Sequence, residues 1–349
     1  MRAISRAGWS PFLTRAALVS VFMVCLARAD AQELPAALGL VYSYGGGLSE
    51  PSLPGPAWLL LQEQDSPEKD PRFQGTLFQW KSEGGNPGGP ELKEPLVTDR
   101  PDFTESSVAV GWGVRQVEFG YTFTSRSSGG ERVRTQNAGE QLLRVGVHAD
   151  WLEFRLGMVP GFLMDTIDGF DLSLPMVFEQ TRTNGVASST AGFPDLYTGF
   201  KVALLPQEGN LPEVAIIPQL NIPTGTASFS SDKLEPGVNL VYGWELDDTY
   251  STAGSTQVNR RFDDDGEGYL EFAQSWTIAR SLSERLGAYA EWYAFFPEGT
   301  DTASSEQYLN GGLAWALTDD FQFDVRVGFG LNDESDDFFV GTGFSVRFQ

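Results

Sequence analysis

A strict alternation of apolar and polar side chains is the feature that most constrains this chain. At 116–124 the odd positions carry Val, Phe, Tyr and Phe, whereas the even positions are polar or small. The same pattern runs through 321–331 and 337–348. A period of two places one kind of side chain on each face of a β-strand. These segments therefore predict strands with one apolar face and one polar face.

The alternation predicts a series of strands along the second two thirds of the chain. Twelve are expected, at 114–124, 139–149, 151–162, 192–205, 211–222, 236–246, 250–260, 268–279, 285–297, 306–317, 320–331 and 337–348. The seventh has the least apolar face. It is retained because, with twelve strands, every short connector falls at one end of the sheet and every long one at the other. The predicted long connectors include 125–138 and 163–191.

An even number of strands with short turns at one end and long loops at the other is typical of an outer-membrane barrel. The predicted fold class is all-β, a transmembrane antiparallel β-barrel of about twelve strands, spanning 98–349. Tryptophans at strand ends, such as Trp244 and Trp276, suit the two membrane interfaces. A soluble sandwich or propeller is the alternative, because it also alternates. The final strand, ending in Phe348, predicts recognition by the barrel-assembly machinery, and outer-membrane lipids are the expected surroundings.

Two segments precede the predicted barrel. Residues 1–31 predict a signal peptide, with arginines ahead of a short apolar run and cleavage after Ala29 or Ala31. Residues 32–97 are rich in proline and glycine and contain only short apolar pieces. Such a composition buries too little surface to offset the entropy of ordering. We expect 32–97 to be a largely disordered periplasmic extension of an outer-membrane protein.

Composition excludes several classes of function. The formal charge of −23 argues against a nucleic-acid binder. Because the chain has one Cys and one His, we expect no thiolate metal cluster and no catalysis by several imidazoles. No cofactor site is expected either. The one imidazole, His148, is expected at the inner end of a strand, away from any nucleophile motif. The acidic runs at 263–267 and 333–337 lack the spacing of a calcium loop and predict solvated outer loops.

The polar faces of the predicted strands supply candidates for the lining of the lumen. They are Glu118, Arg144, Arg155, Asp195, Tyr289, Glu291, Asp324 and Arg326. Two interpretations remain open at this point. The charges either pair with one another in a solvated interior or form a constriction that selects permeants. Lumen-facing aromatic residues, including Tyr293, Tyr308 and Phe339, either stack on aromatic solutes or fill space.

One block of sequence resembles a known family. It begins with Thr98-Asp99-Arg100-Pro101-Asp102-Phe103-Thr104-Glu105-Ser106-Ser107 and continues in the strand Gln116-Val117-Glu118-Phe119-Gly120-Tyr121. Weaker matches lie at 193–201, 218–225, 310–313 and 317–324. The chain resembles the outer-membrane transporter family of the MetA pathway of phenol degradation. The resemblance implies a barrel that passes small organic molecules.

The expected function is therefore passive passage of small solutes, hydrophobic or aromatic ones included, through a channel. A structural or plugged barrel without transport is the alternative. A lipid-modifying barrel enzyme is a more distant one, and we expect no enzymatic activity. Whether the lumen is open or plugged is not decided by the sequence.

Overall fold

The computed structural model describes residues 72, 74–80, 88–138, 140–157, 177–183, 185–263 and 265–349. Within these ranges no helix has the length and apolar character needed to cross a membrane. The same ranges contain fifteen strands: β1 Arg115–Ser128, β2 Glu131–Ala138, β3 Leu142–Gly146, β4 Leu152–Gly157, β5 Val177–Thr183, β6 Val186–Gly192, β7 Leu196–Leu205, β8 Glu213–Ile222, β9 Glu235–Glu245, β10 Tyr250–Phe262, β11 Gly268–Ser283, β12 Leu286–Glu298, β13 Glu306–Thr318, β14 Phe321–Gly330 and β15 Phe338–Phe348.

Twelve of these strands form a closed antiparallel barrel. Around the wall the order is β1, β3, β4 and then β7 to β15 in chain order. The ring closes through β15 and β1, with Arg115 opposite Phe348 and Phe119 opposite Phe344. The predicted twelve-strand barrel is confirmed, including the weakly patterned seventh strand, β10. Closure pairs the edges of the wall, as a bilayer requires.

The remaining three strands extend the wall beyond its outer end, the end that carries the long loops. β2 pairs with the outer half of β1, β5 pairs with β2, and β6 pairs with β5. The prediction that 125–138 and 163–191 are loops was therefore wrong for the described parts of both. These strands carry polar side chains on both faces, so the apolar alternation disappears. Gly129 and Gly130, at φ 57° and 86°, form the tight β1–β2 turn.

The outer face of the barrel is apolar where it would meet lipid. Large hydrophobic side chains stay exposed there, in rows along neighbouring strands: Leu309, Leu313, Phe323, Val325, Val327, Phe329 and Val340. On the same face Trp276 lies against Trp244 and Tyr242, with ring centroids 6.0 and 6.1 Å apart. Such an exposed apolar surface is unfavourable in water and favourable in a bilayer.

A lipid-facing charge is therefore expected to destabilise the barrel. Val325→Arg, near the middle of β14, should lower the free energy of unfolding by about 2–4 kcal/mol. Denaturant titration of the protein folded in lipid vesicles measures this value. Ser304→Arg, in the exposed loop between β12 and β13, is the control and should change it little. Equal effects of the two substitutions would contradict a membrane-facing β14.

Parts of the chain ahead of the barrel lie against its inner end, the end with the short turns. The Leu77 and Phe78 amides donate to the carbonyls of Ala203 and Leu204 on β7, and Leu96 N–H donates to the Asp319 carbonyl. These contacts fix the described residues 74–80 and 88–97 beside the barrel mouth. The predicted signal peptide and the rest of the predicted periplasmic extension lie outside the described residues.

Candidate functional site

The lumen of the barrel holds a piece of the chain itself. Residues Thr98 to Val110, here called the lumen segment, enter from the inner end, cross the bore and return to the inner end. On the way in, the Val97 carbonyl accepts hydrogen bonds from Gln116 and Arg144. On the way out, Trp112 N–H donates to Asp150 in the β3–β4 turn. The lumen is thus occupied by residues that sequence analysis placed ahead of the first strand.

Asp99 is the most heavily paired residue of the lumen segment. Its carboxylate lies 2.5 Å from Arg155 Nη1, 2.7 Å from Lys201 Nζ and 3.4 Å from Arg144 Nε. All four side chains are buried. Burial alone would raise the pKa of the Asp99 carboxyl, but the three cations hold that pKa well below its ordinary value. Asp99 therefore enters the lumen as a charged anchor.

The wall cations around Asp99 also bind wall carboxylates. Arg144 makes a bidentate pair with Glu153, at 2.8 and 2.9 Å, and contacts Glu118 at 3.1 Å. Glu153 in turn accepts from Val110 N–H of the lumen segment, and Glu118 accepts from Asp99 N–H. Bidentate guanidinium–carboxylate pairs are among the stronger polar contacts. Wall and lumen segment therefore form one connected network.

A second anchor joins the lumen segment to β14 and to Glu140, the residue two positions before β3. Arg100 reaches Asp324 on β14 at 3.2 Å and Glu140 at 2.8 Å. Arg326, two residues beyond Asp324 on the same strand, donates to the Pro101 carbonyl at 2.9 Å. Here the segment supplies the cation and the wall supplies the carboxylates, the reverse of the Asp99 anchor.

A third anchor uses the backbone of the lumen segment. Glu291 on β12 accepts from the amides of Phe103 and Thr104 and from the Thr104 hydroxyl, each at 2.7 Å. The ring of Phe103 stacks on Tyr293, with centroids 4.7 Å apart, and Tyr293 stacks on Tyr308 at 4.8 Å. Polar and aromatic contacts thus hold the same turn of the segment.

Six of the eight predicted lumen residues meet in these three anchors: Glu118, Arg144, Arg155, Glu291, Asp324 and Arg326. Tyr289 lies nearby, and its buried hydroxyl has no hydrogen-bond partner among the described residues. Asp195 lies apart from the network. Its carboxylate accepts from the amides of Gly225 and Ser231 in the β8–β9 loop.

Sequence reasoning missed the lumen segment as a partner of the wall. Asp99, Arg100, Thr104 and Glu105 all bind wall residues. Glu105 pairs with Arg155 and accepts from Asn239 at 2.8 Å. One signal was available, because the block at 98–107 is dense in charge and yet lacks the alternation of a strand. It could not be a wall strand, and its charges needed partners elsewhere.

Two cavities open above the lumen segment, toward the outer end. One, of about 450 Å³, is lined by residues that include Thr122, Arg126 and Glu179. The other, of about 460 Å³, has Arg155, Tyr197, Phe229 and Arg261 in its lining. Glu140, which binds Arg100, borders both. The lumen segment therefore lies below both chambers in the bore.

The residues expected to have no catalytic or metal role lie outside this network. His148 is in the inner turn between β3 and β4, with φ 65°. The Asp263 carboxylate accepts from the amides of Asp265 and Glu267 and from the hydroxyls of Thr300 and Thr302. It thereby ties two outer loops together.

A closed antiparallel barrel with an apolar exterior and an ionised interior defines the class of outer-membrane β-barrels. The chain belongs to the family described as "Putative MetA-pathway of phenol degradation", which matches residues 98–348. The match begins at the first residue of the lumen segment, so this segment and the barrel belong to one family unit. No curated protein matches the sequence.

One solved structure shows the same fold, and further outer-membrane barrels are similar at lower scores. An outer membrane channel from Pseudomonas putida F1 is 12% identical, with a TM-score of 0.51 over 71% of this chain and 99% of that one. The NanC porin is 9% identical, with a TM-score of 0.41 over 67% and 100%. The translocator domain of the autotransporter NalP from Neisseria meningitidis is 12% identical, with a TM-score of 0.42 over 68% and 89%. At 12% identity the likeness to the Pseudomonas putida channel concerns the fold alone.

Proposed function

We propose that this protein is an outer-membrane channel for small solutes, in which the lumen segment sets how far the path is open. The observation that carries the proposal is the kind of contact that holds the lumen segment in the bore. One short stretch of chain crosses the bore and is held there through ion pairs and hydrogen bonds. Water can replace polar contacts of this kind when the segment withdraws, and each contributes only about 0.5–3 kcal/mol, so loss of a few of them can release the segment.

The dimensions above the barrier fit small molecules. Binding sites for small molecules usually enclose about 300–1,000 Å³, and the two outer cavities have about 450 and 460 Å³. Each therefore holds a solute of modest size directly above the lumen segment. A solute that reaches this level meets the Arg100–Glu140 pair, at the junction of the two chambers.

The lining supports solutes that carry an aromatic ring and a polar group. Tyr197 and Phe229 offer ring faces in the larger cavity, beside the guanidinium groups of Arg155 and Arg261. Elsewhere in the bore, Tyr293 on β12 already stacks on an aromatic residue, Phe103. Offset or edge-on ring contacts contribute about 0.5–1.5 kcal/mol each. A small aromatic solute could replace Phe103 at this ring when the segment withdraws.

One observation favours a second function, that of a structural barrel without transport. The same network fills the bore at mid-height, and its charges are mutually paired. A permanently fixed lumen segment would leave no route between the outer cavities and the inner end.

Solute uptake by protein-containing liposomes separates the two functions. We expect small uncharged phenols to enter faster than sugars of similar size. The same measurement on Asp99→Asn/Arg100→Gln, which removes two anchors from the lumen segment, should give faster uptake of every solute. Absence of uptake in both proteins, each shown to be folded, would support the structural barrel and overturn the channel.

A further inference from the structure

Three arginines stand on the outward face of the outer strands. Residues directly opposite in the β1–β2 register face the same side, and Thr122, a lumen residue, is opposite Asn137. Odd positions of β2 therefore face the interior, and Arg132 and Arg134 face outward. By the same rule Arg182 of β5, opposite Arg132, faces outward. All three side chains are exposed. We call Arg132, Arg134 and Arg182 the arginine patch.

The arginine patch lies at the outer boundary of the apolar surface. Going outward along β1, the last large apolar outward residue is Phe123, which is opposite Val340 of β15 and Gln136 of β2. One outward position further on, Ser125 is opposite Phe338 and Arg134. The exterior thus changes from hydrocarbon-like to cationic within one pair of residues. That is the level of the headgroups in the outer leaflet.

Among the described residues, no carboxylate pairs with the charges of the patch. Arg132 and Arg182 are directly opposite each other, and like charges in that position are destabilising. None of the ion pairs among the described residues involves Arg132, Arg134 or Arg182. The nearest carboxylates in the register, Glu131 and Glu179, occupy inward-facing positions. The one side-chain contact seen for Arg132 is with the Ser127 hydroxyl, at 3.2 Å.

A further hydrogen-bond donor lies beside the arginine patch. Gln180 is opposite Arg134, on the same outward face. Guanidinium groups bind phosphate through paired hydrogen bonds, and a side-chain amide can complete the set. A net charge of −23 makes such a concentration of cations unusual for this chain. Its field attracts an anion that the rest of the protein repels.

We propose that the arginine patch binds the phosphate groups of an outer-leaflet lipid, namely the phosphorylated sugar headgroup of lipopolysaccharide. The lipid is favoured over a free anion because of what lies directly below the patch. Acyl chains would lie along Phe123, Phe338 and Val340 while the phosphates bind the arginines. A free phosphate would use only the upper half of this surface. The proposal rests on the outer-membrane location and not on solute passage.

Lipid binding to the purified full-length mature protein tests the proposal. Native mass spectrometry and titration in detergent would compare lipopolysaccharide with its enzymatically dephosphorylated form. Each basic residue near an anionic membrane surface contributes about a fivefold change in binding. Arg132→Gln/Arg134→Gln/Arg182→Gln is therefore expected to weaken lipopolysaccharide binding about a hundredfold. The triple Lys variant should bind within tenfold of the unaltered protein.

The matched control removes three exposed arginines from the inner end: Arg115→Gln/Arg280→Gln/Arg285→Gln. It should bind the lipid as the unaltered protein does. Equal binding by the triple Gln variant, or of the dephosphorylated lipid, would overturn the proposal. Displacement of the lipid by millimolar inorganic phosphate would also overturn the proposal and would show a site for free anions instead.

Two measurements keep this test separate from others. Heat-dependent gel mobility checks that each variant is folded. If the triple variant fails to fold, the single variants Arg132→Gln and Arg182→Gln replace it. Each is expected to weaken lipopolysaccharide binding about fivefold. Solute uptake, measured on the same samples, should be unchanged. Loss of lipid binding with normal uptake, or the reverse, shows which of the two proposals fails.

Discussion

Asp99→Asn/Arg100→Gln is expected to raise the open probability or the conductance of the protein in planar bilayers at least tenfold. Asn keeps the size of the Asp99 side chain, Gln shortens that of Arg100, and the two substitutions together remove both charged anchors of the lumen segment. Hydrogen bonds to charged groups contribute about 1.5–3 kcal/mol each. Because about 1.4 kcal/mol changes an equilibrium tenfold, loss of two anchors is enough to shift the segment out of the bore.

The control for this experiment is Arg285→Gln/Asp319→Asn. It removes an ion pair of 3.1 Å at the inner end, with both side chains about half exposed. It also removes one positive and one negative charge, as the test variant does, and leaves the lumen untouched. Currents from the control should equal those of the unaltered protein. If the Asp99/Arg100 variant also gives unaltered currents, the lumen segment is not the barrier.

Arg144→Ala is expected to lower the free energy of unfolding by about 3–5 kcal/mol. The guanidinium group is fully buried and binds Glu153, Glu118 and the carbonyls of Val97 and Val108. Its removal takes one partner from each of three buried carboxylates, Asp99, Glu118 and Glu153, and an uncompensated buried charge is costly. Urea unfolding of the vesicle-bound protein, followed by tryptophan fluorescence, measures the loss.

Arg285→Ala provides the comparison for Arg144→Ala. Its ion pair with Asp319 is solvent-exposed, and exposed pairs contribute about 0–1 kcal/mol. A small effect is therefore expected. A loss at Arg144 as small as that at Arg285 would mean that the lumen network is solvated and weak.

The barrel was predictable because its wall separates two solvents. Every residue of β14, for example, faces either lipid or the ionised lumen. Apolar residues such as Val325 therefore alternate with polar or small residues such as Arg326 along the whole strand. The outer parts of β2, β5 and β6 meet water on both faces and lose this signal. Only the glycine pair at 129–130, with its hairpin geometry, marks the turn between β1 and β2.

The lumen charges were predictable as a set, but not their partners. The alternation of side chains along each strand is enough to place Glu118, Arg144, Glu291 and Asp324 on the lumen side of the wall. The partners come from a segment far away along the chain, since Arg100 and Asp324 are 224 positions apart. One clue was physical. Glu291 has Thr277 and Asn310 opposite it on the neighbouring strands, so no cross-strand cation balances its charge and it needed donors from elsewhere.

Both ends of the lumen segment leave the barrel through the same mouth, beside the Asp319 carbonyl and the Asp150 carboxylate. A peptide that enters and exits on one side is not threaded through the ring. It can swing into the periplasm as a hairpin while every hydrogen bond between β1 and β15 stays intact. The same topology allows the barrel wall to close in the membrane before the lumen segment enters the bore.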